Sequence, residues 1–160
     1  MAFKFIAEAP DASIYKKIPN AFLCLRNLEL SEVDFRCDNF LSFVVEMICG
    51  SPNMQTLMIK ATRKDNLIAY ARSSLDFDHN KIGQLQLQNV YIDNYRGLTN
   101  ENHLIKYILA CSPLLKKIVI KPFDDNGKNN SQMFWFAEKL LTFPRVSRVA
   151  KIYLHGYLDY

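Results

Sequence analysis

The feature that most constrains the fold is a pair of aliphatic residues separated by one position. This couplet recurs through the chain at intervals of about 28 to 34 residues, long enough for a strand, a turn, a helix and a return. Such an interval predicts stacked strand–helix units, because one unit of this kind cannot bury its apolar face alone. The five couplets are Leu28/Leu30, Leu57/Ile59, Leu85/Leu87, Ile118/Ile120 and Ile152/Leu154.

A longer internal repeat contains most of these couplets. Residues 25–59 and 82–122 share the same order of alternating segment, amphipathic helix, Ser-Pro turn and second alternating segment. Matching residues lie 57 positions apart in the first segments and 61 positions apart afterwards. This alignment places four extra residues near Tyr95–Leu98 in the later copy. Shared order and spacing indicate an internal duplication.

The residues beside the couplets are mostly polar, as in the pairs Asn27/Glu29 and Gln84/Gln86. Such alternation is typical of a sheet with one packed face and one solvent-facing side. A doubly wound sheet, covered on both faces, has nearly continuous apolar strands instead. We therefore predict an α/β, leucine-rich-repeat-like solenoid of about five strand–helix units with a mostly parallel sheet. A single domain over residues 1–160 is expected, and a two-layer α+β domain is the alternative.

Capping and turn signals place the helices and the terminal strands. Helices are predicted from Asp38, a good N-cap residue, to Gly50, from about Asn100 to Ser112, and from Asn130 to Leu141. The last strand is predicted over Val149–Leu154. Phe3–Ile6 resembles a further strand without a preceding helix, so we expect it to be the open edge of an array that begins upstream.

No residue pattern predicts catalysis, a cofactor site or a metal site. The four cysteines have neither a C-x-x-C pair nor zinc spacing, and His79, His103 and His155 are isolated. The five glycines form no phosphate-binding array. Asp124–Gly127 predicts a turn, and it lacks the later glutamate of a calcium loop. A short helix is predicted after Asp65. We predict a protein that is not an enzyme and holds no cofactor.

Charge and hydropathy argue against two classes of partner. The net charge is +4, and its mild excess in the second half is weaker than the clustered footprint of a nucleic-acid-binding protein. No apolar run approaches the roughly 18 residues of a membrane span. Lys4 and Glu8 interrupt the apolar run that a signal peptide would need near the N-terminus. A reduced intracellular compartment, cytoplasmic or nuclear, is therefore expected.

Four segments carry a resemblance to a known family: LRNLELSEVDF, CGSPNMQTLMI, LIKYILACSPLLKKIVIKP and FPRVSRVAKIYL. They resemble the C-terminal half of plant F-box proteins with leucine-rich repeats and an FBD domain, with residues 84–155 similar to the FBD region. The resemblance implies a substrate-receptor subunit of an SCF-type ubiquitin ligase. The family's F-box segment is not found in these residues, so a ligase adaptor is expected as a partner only if an F-box lies upstream.

We expect the chain to be a protein–protein interaction module for an unidentified protein target. The polar positions beside the couplets would line the concave side of the sheet and grade from acidic and amide side chains to Lys117 and Lys151. An extended partner with an acidic stretch fits that gradient. The alternatives are a hormone-type small-ligand receptor fragment and a structural module without a ligase role. The ten candidate binding residues are Asn27, Glu29, Thr56, Met58, Gln84, Gln86, Lys117, Val119, Lys151 and Tyr153.

Overall fold

The structure, a computed structural model, describes residues 2–6, 22–64, 84–123 and 130–155. The helix predicted after Asp65, the turn at Asp124–Gly127 and His79 lie outside these residues. In the described part, six strands form one sheet in which every neighbouring pair is parallel and spatial order equals chain order. The strands are β1 (Ala2–Ile6), β2 (Asn27–Val33), β3 (Thr56–Ala61), β4 (Asn89–Tyr95), β5 (Lys117–Pro122) and β6 (Lys151–Leu154).

Three helices connect the described strands: α1 (Asp38–Cys49) follows β2, α2 (Thr99–Cys111) follows β4, and α3 (Asn130–Leu141) follows β5. Because each strand pairs with its sequence neighbours, there is no point at which strand order reverses, as it does in a doubly wound sheet. The predicted leucine-rich-repeat-like solenoid with a parallel sheet is therefore confirmed. Within the described residues, no helix has the length and apolarity needed to cross a membrane.

The core lies between the sheet and the helices. In β2 to β5 the two residues of each buried couplet are at most 2% exposed, and they meet the apolar sides of α1 and α2. The apolar stripes of the two amphipathic helices, including Val44 and Met47 in α1 and Ile105 and Ile108 in α2, are buried. Burial of one face of the sheet explains why period-two alternation was visible in the sequence.

The third couplet, Leu85/Leu87, was assigned wrongly to a strand. The strand there is β4, and its buried couplet is Val90/Ile92, which pairs in register with Leu57/Ile59 and Ile118/Ile120. Leu85 and Leu87 are nevertheless 5% and 1% exposed, because the segment that leads into β4 also packs against the core. An alternating apolar pattern therefore continues upstream of the strand, and alternation alone cannot show where pairing starts.

The duplication is more regular than the sequence alignment suggested. Leu25, Leu28, Leu30 and Val33 correspond to Leu87, Val90, Ile92 and Tyr95, each 62 positions later and each buried. Each of these strands has an irregularity in register near its end, where Glu32 and Asn94 adopt φ values of 59° and 62°. From the helices onward the shift is 61 positions, so the four-residue insertion near Tyr95–Leu98 is wrong: the later copy is shorter by one residue.

The ends of α1 also differ from the prediction. The helix starts at Asp38, but its N-cap residue is Cys37, which makes no side-chain capping hydrogen bond. Gly50 is the C-cap residue with φ of −73°, an ordinary right-handed value, whereas glycines at helix ends often take the left-handed conformation. Packing of the apolar stripe therefore holds α1 in place with little help from its caps.

Candidate protein-binding face

Outward-pointing residues of the strands form what we call the open face of the sheet. Because all strand pairs are in register, these residues align in rows that cross the strands, with neighbouring strands about 4.8 Å apart. The first row is Asn27, Thr56, Asn89, Lys117 and Lys151; the second is Lys4, Glu29, Met58, Tyr91, Val119 and Tyr153; the third is Ser31, Lys60, Asp93 and Lys121.

Eight of the ten candidate binding residues lie in the first two rows. The exceptions are Gln84 and Gln86, which precede β4 and are exposed outside the sheet. Asn89 and Tyr91 occupy the row positions that were predicted for Gln84 and Gln86. The buried couplet of this strand lies five residues later than the predicted couplet. The third row was not predicted, because the candidate residues were only the one before each couplet and the one between its two members.

The centre of the second row is apolar. Met58, Tyr91, Val119 and Tyr153 stand on four consecutive strands, and Met58 and Tyr153 are 44% and 43% exposed. A groove of about 290 Å³ lies over the first three of them, with residues of the second and third rows around it. This volume is at the lower limit of small-molecule sites, about 300 Å³. The groove therefore suits one large side chain of a partner better than a whole ligand.

Positive charge predominates on the described part of the open face. It carries five lysines and two carboxylates, and one carboxylate, Glu29, forms an ion pair with Lys4 at 2.7 Å. Lys117 and Lys151 are register partners on β5 and β6. Like charges at directly opposed positions repel one another. Such a pair favours the approach of a negatively charged group.

Lys117 is held by an aromatic contact rather than by a carboxylate. Its Nζ lies 5.2 Å from the centroid of the Tyr91 ring, within the range of a cation–π interaction. In the described residues, neither Lys117 nor Lys151 forms an ion pair. Tyr91 therefore links the groove to the lysine pair, because its ring lines the groove and contacts the Lys117 side chain.

A second group of polar residues is buried at the turn between β4 and α2. The Glu101 carboxylate, 1% exposed, accepts hydrogen bonds from the backbone N–H groups of Arg96 (3.1 Å) and Leu98 (2.8 Å). Burial raises the pKa of Glu101 to about 7, while these N–H donors and the Arg96 charge oppose the rise. The Tyr95 hydroxyl donates to Asn102 Oδ1 at 2.7 Å. These contacts stay within the turn, so their role is to shape it.

The cysteine and histidine side chains of the described segments show no arrangement typical of a reactive centre. Within the described segments, no group of three histidine, cysteine or acidic side chains is placed to hold a metal ion. Cys49 and Tyr107 are 3.3 Å apart through Sγ and Oη, and burial raises the pKa of the Cys111 thiol, which disfavours its reactive thiolate. His103 lies on α2 and His155 follows β6, on separate elements.

Comparison with known proteins gives a distant and partial match. The chain is 23% identical over 143 residues to an F-box/FBD/LRR-repeat protein from Arabidopsis thaliana, covering 85% of this chain and 32% of that protein. It thus spans about a third of the length of the relative it matches. No family model and no solved structure matches. This similarity supports the leucine-rich-repeat interpretation and a plant origin.

Proposed function

We propose that this chain is a non-enzymatic protein-interaction module that binds a protein partner on the open face of its sheet. The observation that carries the proposal is an exposed apolar strip beside two adjacent lysines that lack ion-pair partners among the described residues. Apolar groups at the centre of a contact area with charges around them are the usual arrangement of a protein interface. Exposure of Met58 and Tyr153 to water is unfavourable, and a partner that covers them would remove this cost.

A finer proposal concerns the biological setting. We propose that the module is the substrate-recognition part of an F-box protein of an SCF-type ubiquitin ligase, acting in the cytoplasm or nucleus, with residues 84–155 as its FBD-like region in a single domain. The similarity to an F-box/FBD/LRR-repeat protein supports this setting. The reading frame upstream of Met1 tests it: we expect an encoded F-box, and an in-frame stop codon directly upstream would contradict the ligase role.

The binding proposal is tested by charge reversal at the lysine pair. The Lys117→Glu/Lys151→Glu variant should lose the partner, because the reversal replaces attraction of an acidic group by repulsion. The measurement is affinity capture from a plant cell extract followed by quantitative mass spectrometry, with circular dichroism to show that the variant is folded. A drop of about tenfold or more in the captured amount is expected, since two charge contacts are lost.

A matched control separates the open face from general charge effects. Lys64 and Lys106 are exposed and lie outside the open face, so the Lys64→Glu/Lys106→Glu variant has the same net charge as the test variant. We expect it to capture the partner as the wild type does. If wild type, control and test variant all capture the same proteins in equal amounts, the open face is not the binding surface.

A further inference from the structure

We propose that the open face recognises one extended partner segment with two anchors about three or four residues apart. One anchor is a large apolar side chain that fills the groove, and the other is a carboxylate that reaches Lys117 and Lys151. This inference rests on the proposed function and adds the chemistry and spacing of the partner's recognition element.

The groove provides the apolar subsite. Met58, Tyr91 and Val119 stand side by side on β3, β4 and β5, and the half-exposed Met58 can adapt its unbranched side chain to the shape of an incoming group. Lys60 and Lys121 of the third row border the groove and keep its rim polar. A leucine, phenylalanine or methionine of the partner fits these surroundings, whereas a charged side chain in the groove would lose hydration without an apolar gain.

The lysine pair provides the acidic subsite. Lys117 and Lys151 are neighbours in the first row, and no carboxylate among the described residues lies within ion-pair distance of either. Asn89, which is the register partner of Lys117 on the other side, adds an amide that can donate a hydrogen bond. One partner carboxylate placed between the two ammonium groups would relieve their mutual repulsion and pair with both.

The positions of the two subsites define the spacing. The groove is centred on β4 between the second and third rows, and the lysine pair lies between β5 and β6 in the first row. The separation is about 10 Å along the strands and about 7 Å across them, or about 12 Å in all. An extended chain advances about 3.3–3.6 Å per residue, so three or four residues join the anchors.

The experiment uses synthetic ten-residue peptides on a Gly/Ser background, each with one phenylalanine and one aspartate one to six positions apart. Binding to the full chain is followed by the shifts of its backbone amide signals in NMR titrations. Spacings of three and four should bind about 3- to 5-fold more tightly than spacings of one and six, the gain expected from one exposed charge contact. The shifts should centre on Tyr91, Val119, Lys117 and Lys151.

Two variants assign the anchors. Lys117→Gln/Lys151→Gln should abolish the effect of spacing while the phenylalanine still perturbs Tyr91 and Val119. Val119→Asp should abolish the phenylalanine-dependent shifts. The control Lys64→Gln/Lys106→Gln should bind the peptides as the wild type does. Affinity that does not depend on spacing, or shifts centred outside the open face, would overturn the two-anchor proposal.

The two proposals fail in different ways. Loss of the captured partner on Lys117→Glu/Lys151→Glu, combined with no spacing effect in the peptides, would reject the two anchors and leave the binding face in place. Unchanged capture by that variant would reject the binding face itself, and the segment model with it.

Discussion

The two copies of the internal duplication share a core but build the turn between strand and helix differently. In the first copy, residues 25–61, the turn is held near the surface by Arg36, whose guanidinium donates two hydrogen bonds of 2.8 Å to Asp34. In the second copy, residues 87–122, the turn is one residue shorter and is closed from inside by the buried carboxylate of Glu101. Equivalent backbone positions are thus stabilised once by a partly exposed ion pair and once by a buried acid.

The neighbouring elements explain this difference. The second turn lies under α3: Phe136 stacks edge-on against Tyr95 with ring centroids 5.0 Å apart and covers Gly97. A carboxylate that binds backbone N–H groups is compact, which suits a turn that is covered by an aromatic ring. The first turn is contacted instead by a polar side chain, Asn100, which donates to the Phe35 carbonyl oxygen. The chemistry of each turn therefore follows from what the next unit of the solenoid places on it.

Substitution of the glycine in the second turn should destabilise the protein most. Gly97 has φ of +75°, and a Cβ on it would lie 2.5 Å from Phe136 Cε1. Gly97→Ala should therefore reduce the free energy of unfolding by about 3 kcal/mol, through the left-handed conformation and the displaced ring. Urea unfolding at pH 7 measures the change.

The matched control is Gly50→Ala in the first copy. Gly50 has a right-handed φ of −73°, and an added Cβ would meet the Glu46 carbonyl oxygen at 3.2 Å. We expect a change of at most about 1 kcal/mol there, because the backbone conformation suits any residue. Equal losses in the two variants would show that neither the positive φ of Gly97 nor its contact with Phe136 makes that position special.

The buried acid of the second turn predicts a dependence of stability on pH. Burial raises the pKa of Glu101 from its ordinary 4.5 to about 7 in the folded protein. The folded state therefore favours the protonated form. The corresponding stability is fully present below about pH 4.5 and is lost as the pH rises through about 7, and the loss is about 3 kcal/mol at most.

Glu101→Gln isolates this contribution because its amide does not titrate. Unfolding free energies of wild type and variant, measured from pH 4.5 to 8, should differ by an amount that changes in favour of the variant as the pH rises. The other ionisable groups are common to both proteins and cancel in the difference. A difference that stays constant with pH would mean that the backbone N–H groups fully offset burial of the charge.

The repeat, the parallel sheet and the helices could be predicted from the sequence. Burial of only one face of the sheet makes apolar and polar residues alternate along each strand. It misplaced β4 because two overlapping patterns fit the same spacing: Ile82-x-x-Leu85-x-Leu87 and Leu87-x-x-Val90-x-Ile92. The distance to the helix could have separated them, since Leu30 lies eight residues before the start of α1 and Ile92 seven before that of α2. Leu87 is five residues too early.

The candidate face was predictable to the same extent. Residues of strands whose couplets were placed correctly fall on the open face, and Gln84 and Gln86 fall outside it with the misplaced couplet. The contact of Lys117 with Tyr91 joins neighbouring strands, so it depends on register that only the structure gives. Burial of Glu101 was likewise hidden, because a glutamate near the start of a helix is more often exposed to solvent.

A weaker effect involves a feature that the two copies share, the left-handed residue near the end of β2 and of β4. Asn94 suits this conformation and its Nδ2 donates to the Ala61 carbonyl oxygen at 2.9 Å. Glu32, its counterpart, has a longer side chain that accepts a bond from Thr62 Oγ1 at 3.0 Å. Because asparagine tolerates positive φ better than glutamate, Glu32→Asn should stabilise the protein by about 0.5 kcal/mol in urea unfolding.

The same substitution in a helix should have the opposite sign. Glu46 is exposed on α1, where asparagine has the lower helix propensity, so Glu46→Asn should cost about 0.5 kcal/mol. The two variants change net charge equally, which leaves backbone conformation as their main difference. If Glu32→Asn also destabilises, the hydrogen bond with Thr62 matters more than the φ angle. The two copies would then differ at the strand ends as well as in their turns.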